Sequence, residues 1–188
     1  MKKLVVLILL FSSQLVFGQT ESPSTDTERR LIFGLGIGMG TLELNTNDSI
    51  ENSLALSLPN IKIGYKLNHR LALMVLLPGA NYEYQEKDRG FEGILLAGQY
   101  WVSDDWWLLA GAGLTFDAAA FYTVEDPSQA EFYFGAPALS AATGYEIYEK
   151  GRFKLDLQYR YFYGESKIAN DGFRRGSAHM FILGFNWN

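Results

Sequence analysis

The hydrophobic and polar positions alternate most strictly between Phe153 and Gly164. Phe153, Leu155, Leu157, Tyr159, Tyr161 and Tyr163 fall on one side, and Lys154, Asp156, Gln158 and Arg160 on the other. A period of two with two unlike faces is a β-strand, because successive side chains of a strand point to opposite sides. A soluble sheet would bury the apolar face against a second layer. A membrane barrel would turn it to lipid and hold the charges in its lumen.

The same pattern recurs along the chain. From Leu31 to Leu42, Leu31, Phe33, Leu35, Ile37 and Met39 alternate with Gly34, Gly36, Gly38 and Gly40. Glycine weakens an ordinary strand. A face made of it suits a narrow barrel, where small residues leave room for larger side chains from opposite walls. These glycines share the spacing of a nucleotide-binding fingerprint. That motif needs a strand, a turn and a helix, and no amphipathic helix follows here.

Further strands are expected at Leu54–Leu67, Leu71–Tyr84, Phe91–Val102, Trp106–Phe116, Gly135–Tyr148 and Ser177–Trp187. With the two above, that makes eight, an even number as in single-chain membrane barrels. Tight turns are expected at Asn68-His69-Arg70, at Ser103-Asp104-Asp105 and at Glu149–Arg152. Longer polar connections are expected at Glu43–Asn52, Gln85–Arg89, Asp117–Phe134 and Gly164–Gly176. Short turns at one end and long loops at the other match a barrel with its turns in the periplasm. Tyr65, Tyr100, Trp101, Trp106, Trp107, Tyr145, Tyr148 and Phe153 would form one aromatic girdle, and Tyr82, Tyr84, Phe91, Phe116, Tyr161 and Tyr163 the other.

The N-terminus reads differently. Met1-Lys2-Lys3 is basic, Leu4–Phe11 is apolar, and Ser12–Gly18 is smaller and more polar. This is the shape of a secretory signal over residues 1–18, with a cut near Gly18 and Gln19. The apolar run is too short for a spanning helix, which takes about 20 residues. Residues 19–30 read as a flexible leader and residues 31–188 as one barrel domain. Loss of Lys2 and Lys3 takes the formal charge from -5 to -7. Such a chain is poorly suited to neutralising the phosphates of a nucleic acid. With no cysteine, thiol chemistry and Cys-based metal sites are excluded.

At the C-terminus Phe181, Leu183, Phe185 and Trp187 alternate with Ile182, Gly184 and Asn186, and Asn188 follows the last aromatic. This strand, with the signal segment and the Gly-Tyr pairs before the turns (Gly64-Tyr65, Gly144-Tyr145), resembles small eight-stranded outer-membrane barrels of the OmpA/OmpX type. The resemblance covers residues 31–188. It implies an all-β, antiparallel, up-and-down transmembrane barrel in the outer membrane of a Gram-negative bacterium. The implied partners are outer-membrane lipid and lipopolysaccharide, the barrel assembly machinery that reads the last strand, and an extracellular ligand or surface partner at the loops. It implies no cofactor.

Among polar residues, Lys62, Lys66, Glu146, Lys154, Asp156, Gln158 and Arg160 share the lumen by alternation, with Glu92 open to a slip of register. In an interior only wide enough for side chains, they form a structural ion-pair network rather than a channel. The two histidines, His69 and His179, belong to opposite ends and do not form a metal site. Ser177 and His179 share a face near the outer end of the last strand. The pair resembles that of barrel enzymes that trim lipid A acyl chains, with the His-x-Ser order reversed. The reading that follows is a non-enzymatic barrel with a structural or adhesive role, Asp117–Phe134 being the contact loop. Its rivals are a soluble lipocalin-like barrel with a hydrophobic ligand, and a lipid A-modifying enzyme using Ser177 and His179.

Overall fold

The computed structural model describes residues 31–46, 50–84, 87–119, 132–168 and 172–187. The side chains of residues 46, 50, 51, 58, 59, 84, 87 and 168 are not among those described. The signal segment, the leader, Phe121 and Tyr122 lie outside the described residues.

Period-two patterning becomes strand throughout. The elements are β1 (Leu31–Thr46), β2 (Ile50–Lys66), β3 (Leu71–Leu77), β4 (Gly79–Tyr84), β5 (Lys87–Trp101), β6 (Trp106–Ala119), β7 (Phe132–Lys150), β8 (Phe153–Ile168) and β9 (Gly172–Trp187). Strands adjacent in the chain pair antiparallel, except that β3 and β4 each pair with β2 and β5 instead of with one another, and β1 also pairs with β9, so the sheet closes on itself. β3 and β4 occupy one wall position, which gives a ring of eight. The pairings run from Leu31↔Tyr65 around to Phe33↔Trp187 with a stagger of about ten residues, in keeping with strands tilted at about 40°.

The expected strand Leu71–Tyr84 is broken at Pro78, which cannot donate to a ladder. β2 pairs with β3 up to Ile61↔Leu77 and with β4 at Leu56↔Asn81, five residues against four. The β1–β2 register also shifts between Gly36↔Asn60 and Gly38↔Ser57. β2 therefore leaves both neighbours over the segment that holds Pro59. Side chains fill in for the ladder there. Ser57 Oγ donates to the Gly79 carbonyl at 2.7 Å, and Asn60 Nδ2 donates to Ser57 Oγ at 3.1 Å.

Much of the sequence expected as long loop is strand. Glu43 pairs with Asn52, Glu165 with Arg175 and Arg89 with Ala119. Pairing continues past the apolar band because backbone groups satisfy each other across a hairpin whatever the side chains are. Among the expected turns, Asn68 Oδ1 accepts from the amides of Arg70 and Leu71 at 2.8 and 2.9 Å. Gly151 holds the β7–β8 turn with φ at 61°, a conformation that costs glycine little.

Side-chain direction is decided residue by residue. Leu35, Ile37, Ile63, Leu73, Leu96, Leu108, Leu157 and Phe181 are exposed on the outer wall, Leu96 at 74% and Phe181 at 69%. Lys62, Gln99, Asp156, Gln158 and Arg160 are buried inside. The soluble lipocalin-like alternative required the reverse. The girdles also need correction. Tyr65, Tyr100, Trp106 and Tyr145 do face outward, while Trp101, Trp107, Tyr82 and Phe91 are buried in the lumen. Consecutive strand residues cannot share a side, so Trp106 and Trp107 part.

Candidate functional site: the layered lumen

The interior is built in three layers along the barrel. The layer nearest the short turns is polar. Asp156 is its centre, at 1% exposure. Its carboxylate accepts from Trp107 Nε1 at 3.1 Å, Gln158 Nε2 at 2.7 Å and Asn186 Nδ2 at 3.0 Å. Lys62 Nζ lies 3.8 Å from it, donates to Gln99 Oε1 at 3.4 Å, and sits over the Trp107 ring at 4.8 Å. Arg160 donates to Gln158 Oε1 at 2.9 Å and to Asn60 Oδ1. Towards the mouth, Lys154 Nζ bridges Glu146 at 2.6 Å and Glu149 at 3.2 Å. Trp101 Nε1 donates to Glu146 at 3.1 Å, and Lys66 covers the Trp101 ring at 5.2 Å.

Glycines paired with these residues on the adjacent strands make the space. A Cβ on Gly184 would meet the Asp156 carboxylate and Gln158, one on Gly144 the Trp107 ring, and one on Gly34 Lys62 and Asn186. Gly34 on β1 thus makes room for Lys62 and Asn186, while Gly144 and Gly184, on the two strands that flank β8, make room for Trp107 and Asp156.

The middle layer is apolar. Phe91 and Phe162 meet with ring centroids 5.7 Å apart. Leu76, Leu95, Met180 and Ile182 are buried with them. Ser140, opposite Phe162 on β7, donates its hydroxyl to the Tyr161 carbonyl at 3.0 Å.

The outer layer is a second polar cluster, centred on Asp117 at the far end of β6. Arg89 reaches its carboxylate at 2.6 Å, and Arg174 Nη1 reaches both of its oxygens at 3.0 and 3.1 Å. Tyr82 OH donates to Asp117 Oδ2 at 2.5 Å and accepts from Arg174 at 2.9 Å. Both guanidiniums lie on the face of Tyr133, at 5.5 and 5.9 Å. Buried charges are expected to be paired in this manner.

The geometry brings together Lys62, Glu146, Lys154, Asp156, Gln158 and Arg160, with Lys66 at the inner rim. Glu92 does not join them. It is half-buried and stands at an outward position, opposite Phe116. Sequence reasoning missed Asn60, Gln99, Asn186, Trp101 and Trp107, and the whole Asp117 cluster. Extending the period-two count past each assigned strand end would have placed Arg89, Asp117 and Arg174 inside.

Ser177 is half-buried and His179 exposed, both on the outer wall. His179 Nδ1 is engaged by the Tyr159 hydroxyl at 2.7 Å, and its ring lies 5.0 Å from that of Tyr161. A catalytic base needs that nitrogen, or its partner, aimed at the nucleophile. Among the described residues no group of three His, Asp or Glu is placed to hold a metal ion.

A closed antiparallel ring of eight with an apolar exterior and a filled interior is the fold of small outer-membrane β-barrels, and the chain has that fold. Two solved structures share it. Neisserial surface protein A superposes with a TM-score of 0.58 at 19% identity, over 82% of this chain and 96% of that one. Ail, the attachment invasion locus protein of Yersinia pestis, superposes with a TM-score of 0.53 at 15% identity, over 84% of this chain and 99% of that one. No family model matches the sequence, and no curated protein does.

Proposed function

We infer that the protein is a non-enzymatic barrel of the Gram-negative outer membrane, with a structural role or a contact role exercised from its outer rim. The observation that carries this is the filled lumen. The Phe91–Phe162 layer lies between two hydrogen-bonded polar layers, leaving the wall and the rim as working surfaces. Lipid and lipopolysaccharide are the partners of the wall in this reading, and the barrel assembly machinery reads β9.

The rim supplies a contact surface beside the β6–β7 connection. Phe116, Phe132 and Phe134 cluster with centroids 4.7 to 6.4 Å apart, and Phe132 and Phe134 are exposed. Phe132 and Tyr133, expected in a loop, are strand residues, with Phe132 outward and Tyr133 over the arginines. The names of the two similar proteins, a surface protein and an attachment protein, agree with a surface role.

Cell fractionation tests the location. The protein is expected in the outer membrane, with a gel mobility that changes on boiling; recovery in the soluble periplasm overturns the reading. Steady ion conductance in planar bilayers would contradict the filled lumen. For the rim, Phe132→Ser with Phe134→Ser is expected to reduce attachment of expressing cells to surfaces while the heat-modifiable band remains.

A further inference from the structure

The exposed aromatic cluster at the rim stands beside an acid without a counter-charge. Two outward rows cross β4, β5, β6 and β7. One runs Gly79, Glu92, Phe116, Phe134 and the other Asn81, Gly90, Ala118, Phe132. Phe132 and Phe134 are 48% and 59% exposed, and their ring centroids are 4.7 Å apart. Glu92 is half-buried. Its carboxylate lies along β5 over Gly90, where a Cβ would meet Oε1 at 2.5 Å.

Among the described residues Glu92 takes no hydrogen bond and no ion pair. Its outward neighbours, Gly79, Phe116, Gly90 and Ile94, bring no donor side chain. Glu83 and Asp88, a register pair on the same wall, add negative charge further out. Gly90 and Ala118 keep the space between the carboxylate and Phe132 low. Adjacent strands are about 4.8 Å apart, so acid and rings lie within the reach of one long side chain and its neighbours. Ala118 stands 12 residues beyond Trp106. On a strand tilted at about 40° that is about 30 Å along the barrel axis, above an apolar band about 25 Å tall. The patch therefore opens to the outside.

We propose, on the reading of the rim as a contact surface, that this patch receives an arginine or lysine side chain from an apolar stretch of a partner protein. The Glu92 carboxylate takes the cation. The methylene stem lies on Phe116, and flanking apolar residues of the partner cover Phe132 and Phe134. Aromatic anchors and complementary charge are what protein contacts of this kind are made of. Glu83, Asp88 and Glu92 together repel an anionic partner.

The test uses the full chain refolded in dodecyl maltoside micelles, whose neutral headgroups do not attract basic peptides. Two probes are titrated, acetyl-Leu-Arg-Leu-amide and acetyl-Leu-Gln-Leu-amide. The amide NMR signals of Gly90 and Ala118 are followed, with Gly151 at the other end of the barrel as control. Both probes are expected to shift the rim signals saturably. The arginine probe should bind about tenfold tighter, the size of one hydrogen bond to a charged group. Glu92→Gln should erase that preference and leave the glutamine probe unchanged, and Phe134→Ser should weaken both. The comparison of probes on the wild-type chain needs no variant. Equal binding of the two probes, or a preference that survives Glu92→Gln, overturns the proposal and leaves the rim reading standing. Binding of neither probe also overturns it, while the attachment assay with Phe132→Ser and Phe134→Ser decides the rim by itself. A Glu92-dependent shift on adding phosphatidylethanolamine, with neither probe bound, assigns the acid to a lipid amine. Glu92-dependent self-association assigns it to a second copy. Either result overturns the partner proposed.

Discussion

Trp107 donates its indole N–H to Asp156 over the intervening strand β7, from β6 to β8, at 3.1 Å. The two residues are 49 apart in sequence and are both buried. The contact exists because Gly144 leaves room for the indole and Gly184 for the carboxylate.

Removal of Asp156 should therefore be costly. Asp156→Ala strands Lys62 and three donors in the lumen. Breaking one side of a buried ion pair costs about 3–5 kcal/mol. Urea unfolding of the barrel in lipid vesicles should show that loss. The double variant Lys62→Met with Asp156→Leu should recover a large part of it, because both charges leave together.

The glycines should sort by what stands opposite. A methyl at Gly144 would intrude on the Trp107 ring, whereas a Cβ on Gly98, on the outer wall, meets nothing within 4 Å. Gly144→Ala should lose about 1–3 kcal/mol, as overpacked interiors do. Gly98→Ala should stay within about 0.5 kcal/mol. The same vesicle unfolding assay compares them.

The outer wall should penalise charge by depth. Leu157 stands on the outer wall of β8, between Leu155 and Tyr159, whereas Leu54 lies near the outer end of β2 opposite Thr41. Leu157→Arg should cost about 2–4 kcal/mol and Leu54→Arg about 0–1. Equal costs would contradict a bilayer around this wall.

Ser177 and His179 should be dispensable for lipid chemistry. Mass spectrometry of lipid A is expected to give the same acylation pattern with the wild-type protein, Ser177→Ala or His179→Ala. His179→Ala should still lose a few tenths of a kcal/mol to about 1 kcal/mol through the Tyr159 hydrogen bond.

Alternation in the sequence determined the strand identity of nearly every segment and the side on which Leu157, Phe181, Asp156 and Arg160 would lie. Period two is a local property, since each side chain's face follows from its neighbours. Turn chemistry at Asn68 and Gly151 was legible for the same reason. Tertiary structure alone decided where strands stop, because pairing at Glu43↔Asn52 or Glu165↔Arg175 depends on a partner strand and not on local polarity. It also decided the break at Pro78, the lumenal place of Trp107, and the meeting of Arg89, Asp117 and Arg174. Those contacts join residues from 28 to 57 positions apart, and only closure and stagger of the ring bring them to one level.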